Sequence, residues 1–439
     1  SNIKNIDMRT KLAIKSENMT SFGGIFHVMD VFEGIGLPEL INSALGERGN
    51  GRALYSYSDI IMSLFCIYLC GGDHIEDITS YLGGTFSMRP NTKAASSDTI
   101  ARALKELAQD NVIYRSDSGA SYAFNTAEKL NRLLLSMLFR LGLLEKGGVL
   151  DLDFDHQFTP AGKHDAKYSY KRAYGYFPGI LSFGGLLLGI ENRDGNANVR
   201  FHQEDTLKRF FERLVKDFGM VINRFRADCG SFSENIVRTV YGYCNTFYIR
   251  AVNCESHRRE FESRREWKSV EINFERCEVA SFPFTAFMED AHFRLVVQRT
   301  EVDGRDVDIA FSDKFYTYRC IVTNDWESTE EEIIRYYNGR GESEKNFDIQ
   351  NNDFGWAHQP FSFLKENTVF LILTAMLKNF YVFLLRRIHK TMPNVKPNFR
   401  LKKFLISFVI VPAKWIRTGR RPVLNLYTKR DYVSVFSSI

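Results

Sequence analysis

Apolar positions recur at helical spacing through roughly the first third of the chain, then give way to alternation and short apolar runs. Residues 58–69 (SDIIMSLFCIYL) start on a capping serine and turn apolar, and 127–144 (AEKLNRLLLSMLFRLGLL) keep a helical stripe. Between them, residues 96–108 (SSDTIARALKELA) predict a short helix capped by Ser97 or Asp98. Ile100, Leu104 and Leu107 form its inner face, and Arg102 and Lys105 project away. From residue 149 the chain reads VLDLDFDHQ, in which Asp151, Asp153 and Asp155 alternate with Leu150, Leu152 and Phe154. A strand puts those carboxylates on one face and the apolar residues on the other.

The later pattern predicts a sheet with helical cover. Apolar runs at 174–183 and 186–190 lead to the turn Asn192-Arg193-Asp194-Gly195. Residues 204–218 form an amphipathic helix, with Leu207, Phe210, Phe211, Leu214, Val215 and Phe218 on one side. Residues 221–227 (VINRFRA) read as a strand that ends at Asp228. Residues 240–325 are strand-rich, and a helix starts near Thr329. The fold class expected is therefore α/β and multidomain, a mixed sheet flanked by helices. Residues 368–385 (TVFLILTAMLKNFYVFLL) have nearly the length of a membrane span, but Lys378 and Asn379 interrupt them and charges crowd both ends. They predict a buried core helix and no membrane association.

Composition changes this picture little. The chain has 439 residues, 44% hydrophobic and 14% aromatic, enough to bury a sizeable core. Its net charge of +5 permits an anionic partner without requiring one. The basic residues are unevenly placed: 396–430 hold ten Lys or Arg, among them Arg417, Arg420 and Arg421, and no Asp or Glu. That stretch can neutralise phosphates or simply form a solvated basic surface. Seven cysteines without a C-x-x-C pair, and no secretory signal, predict reduced thiols in a cytoplasmic setting. P-loop, G-x-G-x-x-G and G-x-S-x-G motifs are missing from the places where they would act, which removes nucleotide-driven and serine-hydrolase chemistry.

Candidate chemistry lies in the carboxylates. Like charges on one strand face repel, so the 151/153/155 series needs a counter-charge. Asp228 at a strand end and Glu344 on a helix are further acids, and Tyr337, Arg340 and Glu344 are spaced to share a helical face. Arg340 can orient the Glu344 carboxylate or meet a phosphate. Carboxylates converging from two strands and a helix suit Mg²⁺ or Mn²⁺. Two such ions about 3.5–4 Å apart serve phosphodiester chemistry. Zinc fits less well, because the histidines and cysteines show no ligand spacing, although His156 and His164 lie nearby in the chain.

These motifs, LDLDFD (150–155), FRADCGSF (225–232), YYNGRGESE (336–344) and the following NDFGW, resemble those of bacterial insertion-sequence transposases of the DDE type. The resemblance covers essentially the whole chain and points to the branch with a Y-x2-R-x3-E signature, specifically the 1380 insertion-sequence family. It implies an RNase H-like catalytic core interrupted by a β-rich insertion. The domains expected are a helical DNA-binding region at 1–147, core at 148–239, insertion at 240–326, core with the acidic helix at 327–392 and a basic region at 393–439. It further implies a triad of Asp153, Asp228 and Glu344 holding two Mg²⁺ or Mn²⁺ ions. The implied reaction is cleavage at transposon ends through a hairpin, then transfer of the 3′-hydroxyl into target DNA. The partners implied are double-stranded DNA, as terminal inverted repeats and target, and a second copy of the chain in a synaptic dimer.

Two positions depart from the family pattern. Asp155 stands where Ser or Thr is usual, which keeps Asp151 and Asp155 as alternatives to Asp153. Asn351 stands where the signature has Lys, seven residues beyond Glu344. Trp326 is placed either to stack on a flipped base or to fill a core. Arg102, Lys105, Tyr337, Arg340, Arg417, Arg420 and Arg421 are the expected DNA contacts. The competing functions are a metal-dependent nuclease or resolvase without strand transfer and a catalytically silent DNA-binding descendant.

Overall fold

A computed structural model describes residues 13–15, 17–252, 254–301 and 316–437. Its strands, in chain order, begin with β1 (Val112–Arg115), β2 (Ser121–Asn125), β3 (Val149–His156), β4 (Thr159–Pro160), β5 (Lys167–Tyr168) and β6 (Tyr174–Tyr176). There follow β7 (Gly179–Phe183), β8 (Leu186–Arg193), β9 (Val221–Ala227) and β10 (Thr246–Arg250). The remainder are β11 (Lys268–Ile272), β12 (Glu275–Phe284), β13 (Phe293–Glu301), β14 (Tyr316–Thr323), β15 (Ala413–Thr418) and β16 (Arg421–Leu426). Eleven of them form one mixed sheet in the order β1-β2-β8-β7-β3-β9-β10-β14-β13-β12-β11. At its centre β7 pairs antiparallel with β3 and β8 antiparallel with β7, whereas β9 runs parallel to β3 and β10 parallel to β9.

The strands expected of a separate insertion thus continue the central sheet. β14 pairs antiparallel with β10, and β13, β12 and β11 follow outward. Within this strand-rich stretch, residues 270–280 contain a reversal. Asn273 and Phe274 both take positive φ (53° and 66°) and join β11 to β12 in a two-residue hairpin. The stretch expected to be helical holds β1 and β2, which extend the opposite edge of the sheet through β8.

Alternation dictates how the sheet is covered. Leu150, Leu152 and Phe154 of β3 pack with Leu207, Phe210 and Phe211 of the Gln203–Glu212 helix and with Ile236 and Val237 of the Glu234–Tyr243 helix. Each such buried side chain contributes about 1.5–3 kcal/mol relative to exposure. A second core joins the N-terminal helices Ile25–Gly34, Leu37–Leu45, Tyr57–Leu69 and Ser97–Glu106 to the Leu364–Thr391 helix. That helix is the only one among the described residues long and apolar enough to cross a membrane, and 89% of its apolar window is buried inside the protein.

The two polar residues that interrupt this helix have partners on the β7–β8 hairpin. Asn379 accepts from the Leu187 N–H (2.9 Å) and donates to the Leu187 carbonyl (2.8 Å), completing what a neighbouring strand would supply. Lys378 donates to the Gly185 carbonyl at 2.7 Å. Burial pushes its pKa down to about 7.

Candidate active site

The register of the central strands decides which acids meet. β3 and β9 are parallel, with Asp151 opposite Arg224, Asp153 opposite Arg226 and Phe154 opposite Ala227. Parallel strands finish together, so the next residues, Asp155 and Asp228, emerge at the same edge of the sheet. The sequence contains this arrangement as two in-phase series, D-x-D-x-D at 151–155 and R-x-R-x-D at 224–228.

Two of the three β3 carboxylates therefore have arginine partners on β9. Asp151 bonds Arg224 and accepts from the Asn223 amide at 3.1 Å. Burial pushes its carboxyl up, but these donors, Arg224 foremost, outweigh that and hold it below the ordinary value. Asp153 is 3% exposed and receives a fork from Arg226, Nε to Oδ1 at 2.7 Å and Nη2 to Oδ2 at 2.8 Å. Arg226 also donates to the Tyr336 carbonyl, and the Tyr336 ring lies under both guanidiniums at 3.9 and 4.4 Å. The expected site residue Asp153 is thus locked in a buried ion pair, and Asp155 stands beside Asp228 instead.

Asp155 has a different environment. Its Oδ2 receives Arg340 Nη1 at 2.7 Å, and its Oδ1 receives the His156 N–H at 2.8 Å. Burial first, and the Asp228 charge second, push its pKa up to about 6 despite Arg340. Asp228 starts a short 3₁₀ turn, its Oδ1 accepting from the Gly230 N–H at 2.9 Å. The Arg340 guanidinium thus bonds Asp155, while Asp228 adds negative charge nearby.

Helical residues close the site from above. Thr329 and Glu332 form a reciprocal cap on the Glu330–Asn338 helix, which ends just before Arg340. Tyr337 is buried, and its hydroxyl donates to the Ala227 carbonyl at 3.2 Å, pinning the helix to the end of β9. Arg340 precedes a second helix, Gly341–Asp353, on which Glu344 lies 3.9 Å from Arg340 Nη2 with its side chain 73% exposed. Asn346 of that helix donates to the Gly184 carbonyl at 2.9 Å and accepts from Lys378. Arg226 and Lys378 had no assigned part in the sequence reading. The first is signalled by the matching period-two series, and the second by a lone lysine in an apolar helix.

A cavity of about 730 Å³ opens at this edge, lined by Asp155, Asp228, His156, Tyr170, Lys171 and Arg200 among others. His156 is half-buried, its ring packed against Phe154 and Phe177. Burial, with the Arg193 charge second, holds its pKa well below the ordinary value, so the ring is neutral. Oxygen donors with excess negative charge fit a hard divalent cation rather than zinc. Among the described residues, no group of three or more His, Cys, Asp or Glu is clustered closely enough to hold a metal; Asp155 and Asp228 are the paired acids, and Glu344 reaches them only through Arg340.

The other expected contacts lie on separate elements, and none lines this cavity. Ser96, one residue earlier than expected, caps the Ser97–Glu106 helix; Ile100 and Leu104 are buried, and Arg102 and Lys105 are exposed. The helical turns before it span Ile78–Phe86, and residues 87–96 separate the two, so no short turn joins them as in a helix-turn-helix pair. Arg417, Arg420 and Arg421 sit exposed around the tip of the β15–β16 hairpin. Trp326 is 49% exposed, and its indole N–H donates to the His292 carbonyl at 2.6 Å.

A mixed sheet presenting paired carboxylates at the ends of adjacent parallel strands defines an α/β protein equipped for acid-dependent chemistry. The chain matches the family model described as "Transposase DDE domain group 1" over residues 4–439, and it belongs to that family. Membership makes it a transposase-type protein, associated in general with nuclease and transesterification chemistry. A comparison with curated proteins found no match.

Proposed function

We propose that this chain is a DNA transposase that cuts at transposon ends and joins the freed 3′-hydroxyl to target DNA. The observation that carries the reading is the Asp155–Asp228 pair at the C-terminal ends of β3 and β9, under-neutralised by Arg340. The central order β8-β7-β3-β9-β10, with its antiparallel and parallel pairings, supports an RNase H-like core. The Y-x2-R-x3-E spacing at 337–344 supports the 1380 insertion-sequence branch and with it a hairpin intermediate and a synaptic dimer.

Asp155 and Asp228 would hold Mg²⁺ or Mn²⁺, with Glu344 as the third carboxylate, in a site for two ions. Divalent ions there would neutralise developing charge and lower the pKa of an attacking hydroxyl or water. The remaining work falls to the chain. Arg340 orients Asp155 and, when the acids turn to metal, is free to meet the scissile phosphate. Tyr337 fixes the helix that carries Arg340. Arg226 holds Asp153 and neutralises its charge, which keeps that end of the acidic face rigid. Arg102, Lys105, Arg417, Arg420 and Arg421 would contact DNA phosphates, and Trp326 presents a ring face for stacking.

The test incubates pre-cut ends of the encoding element with Mg²⁺ and a target plasmid. Joined products are expected from the unchanged chain and not from Asp228→Asn. Cleavage without joining would replace the transposase reading with a nuclease, and DNA binding with neither reaction would replace it with a silent descendant.

A further inference from the structure

Residues 157–176 leave the central sheet between β3 and β7 and form the small sheet β4-β6-β5 beside the acids. Its base is firmly held. Tyr176 donates to Asp165, and Asp165 in turn accepts from the Leu364 N–H at the start of the long helix (3.0 and 2.8 Å). Backbones there approach so closely that a Cβ on Gly175 would lie 2.3 Å from the Thr159 carbonyl oxygen, and one on Gly195 would lie 2.2 Å from that of Gly175.

The tip of this flap is the opposite of its base. Tyr168, Tyr170 and Tyr174 are 57%, 69% and 58% exposed, an unusual amount of open aromatic surface for one short segment. Tyr168 and Tyr174 are register partners with rings 5.2 Å apart. Tyr170 stacks on Phe177 at 5.9 Å and 23°, has the Lys171 ammonium 5.1 Å from its ring, and keeps most of its surface open to solvent. Lys171 and Arg172 are exposed beside these rings. Tyr170 and Lys171 also line the cavity that contains Asp155 and Asp228.

Exposed rings interleaved with cations suit a ligand with both flat faces and phosphates. In duplex DNA the bases stack on one another and offer no face to a tyrosine, whereas an unpaired strand does. We propose that the 157–176 flap is a stacking platform for an unpaired DNA strand at the acid site. Tyr170 takes the base nearest the acids, Tyr168 and Tyr174 extend the platform, and Lys171 and Arg172 meet the backbone. This rests on the transposase reading and adds to it an element that receives the opened end.

Binding of an oligothymidylate of about 12 nucleotides and of a blunt duplex is measured by fluorescence anisotropy. Tyr170→Ala is expected to weaken oligothymidylate binding by about 10-fold, and more than it weakens duplex binding. Tyr170→Phe is expected to restore it, because the ring and not the hydroxyl is used. Equal oligothymidylate affinity in Tyr170→Ala, an equal loss on duplex, or failure of Tyr170→Phe to rescue would each overturn the platform. If the unchanged chain binds duplex and not oligothymidylate, the platform falls and the transposase reading stands. If it binds neither, both fall.

Discussion

The middle of β3 and its C-terminal end carry the same residue type on the same face, yet their chemistry is opposite. In the middle, Asp153 is buried against an arginine that forks onto both its oxygens, so the charge is matched within the protein. At the end, a single Arg340 bond reaches Asp155, and burial with the nearby Asp228 charge pushes its pKa up to about 6. A matched pair builds rigidity, and an unmatched pair leaves charge for something outside the chain to neutralise. The difference comes from the neighbouring strand, which supplies Arg226 at one register position and Asp228 two residues later.

Substitutions separate the two ends. Asp155→Asn and Asp228→Asn are expected to lower end cleavage by on the order of 10³-fold or more while the chain stays folded, read in a plasmid-cleavage assay. Comparable activity in Asp155→Asn would move the site back along the strand. Asp153→Ala is expected to act on stability instead. It strands Arg226 in the interior at a cost of about 3–5 kcal/mol, visible as a lowered urea midpoint. An unchanged midpoint would erase the contrast.

The third test uses pH. Without divalent ions, the folded chain holds the Asp155 proton to about pH 6, while the ordinary value is 3.8. The folded state therefore binds more protons than the unfolded one between those limits, and stability falls as pH rises from about 4 to about 6. Asp155→Asn should flatten that slope in thermal melts, and Mg²⁺ should raise the melting temperature of the unchanged chain alone. The smallest effect lies behind the site. Lys378 has a folded pKa of about 7, below its ordinary 10.5, so its burial cost is present in full below pH 7 and fades as pH rises toward 10.5. Lys378→Met should lose that rise in stability, and a parallel pH dependence in the two proteins would show that the lysine is not a buried cation.

Local features were legible and non-local ones were not. The series at 149–156 and 221–227 predicted β3 and β9, and Thr329 predicted the start of its helix. Helix starts shifted by a residue or two, as at Ser56 and Ser96, because several polar residues in a row compete to cap. The joining of β10 to β14 into the central sheet depends on pairings between residues some seventy positions apart, which periodicity does not encode. The choice between Asp153 and Asp155 is of the same kind. Alternation places both on one face, and only the register against β9 tells which of them meets Arg226 and which lies level with Asp228. The spacing of Arg340 and Glu344 predicted their proximity, but not that Glu344 would remain largely exposed.

The Leu364–Thr391 helix has a consequence for synthesis. It fills the core of helices that begin at Ile25, so on the ribosome those early helices emerge with their apolar faces uncovered and wait for more than two hundred further residues. A nascent chain halted before residue 364 would carry the Ser97–Glu106 helix, with Arg102 and Lys105, on an unfinished platform. Completion of translation, rather than any local signal, is what gives that helix a finished core to sit on.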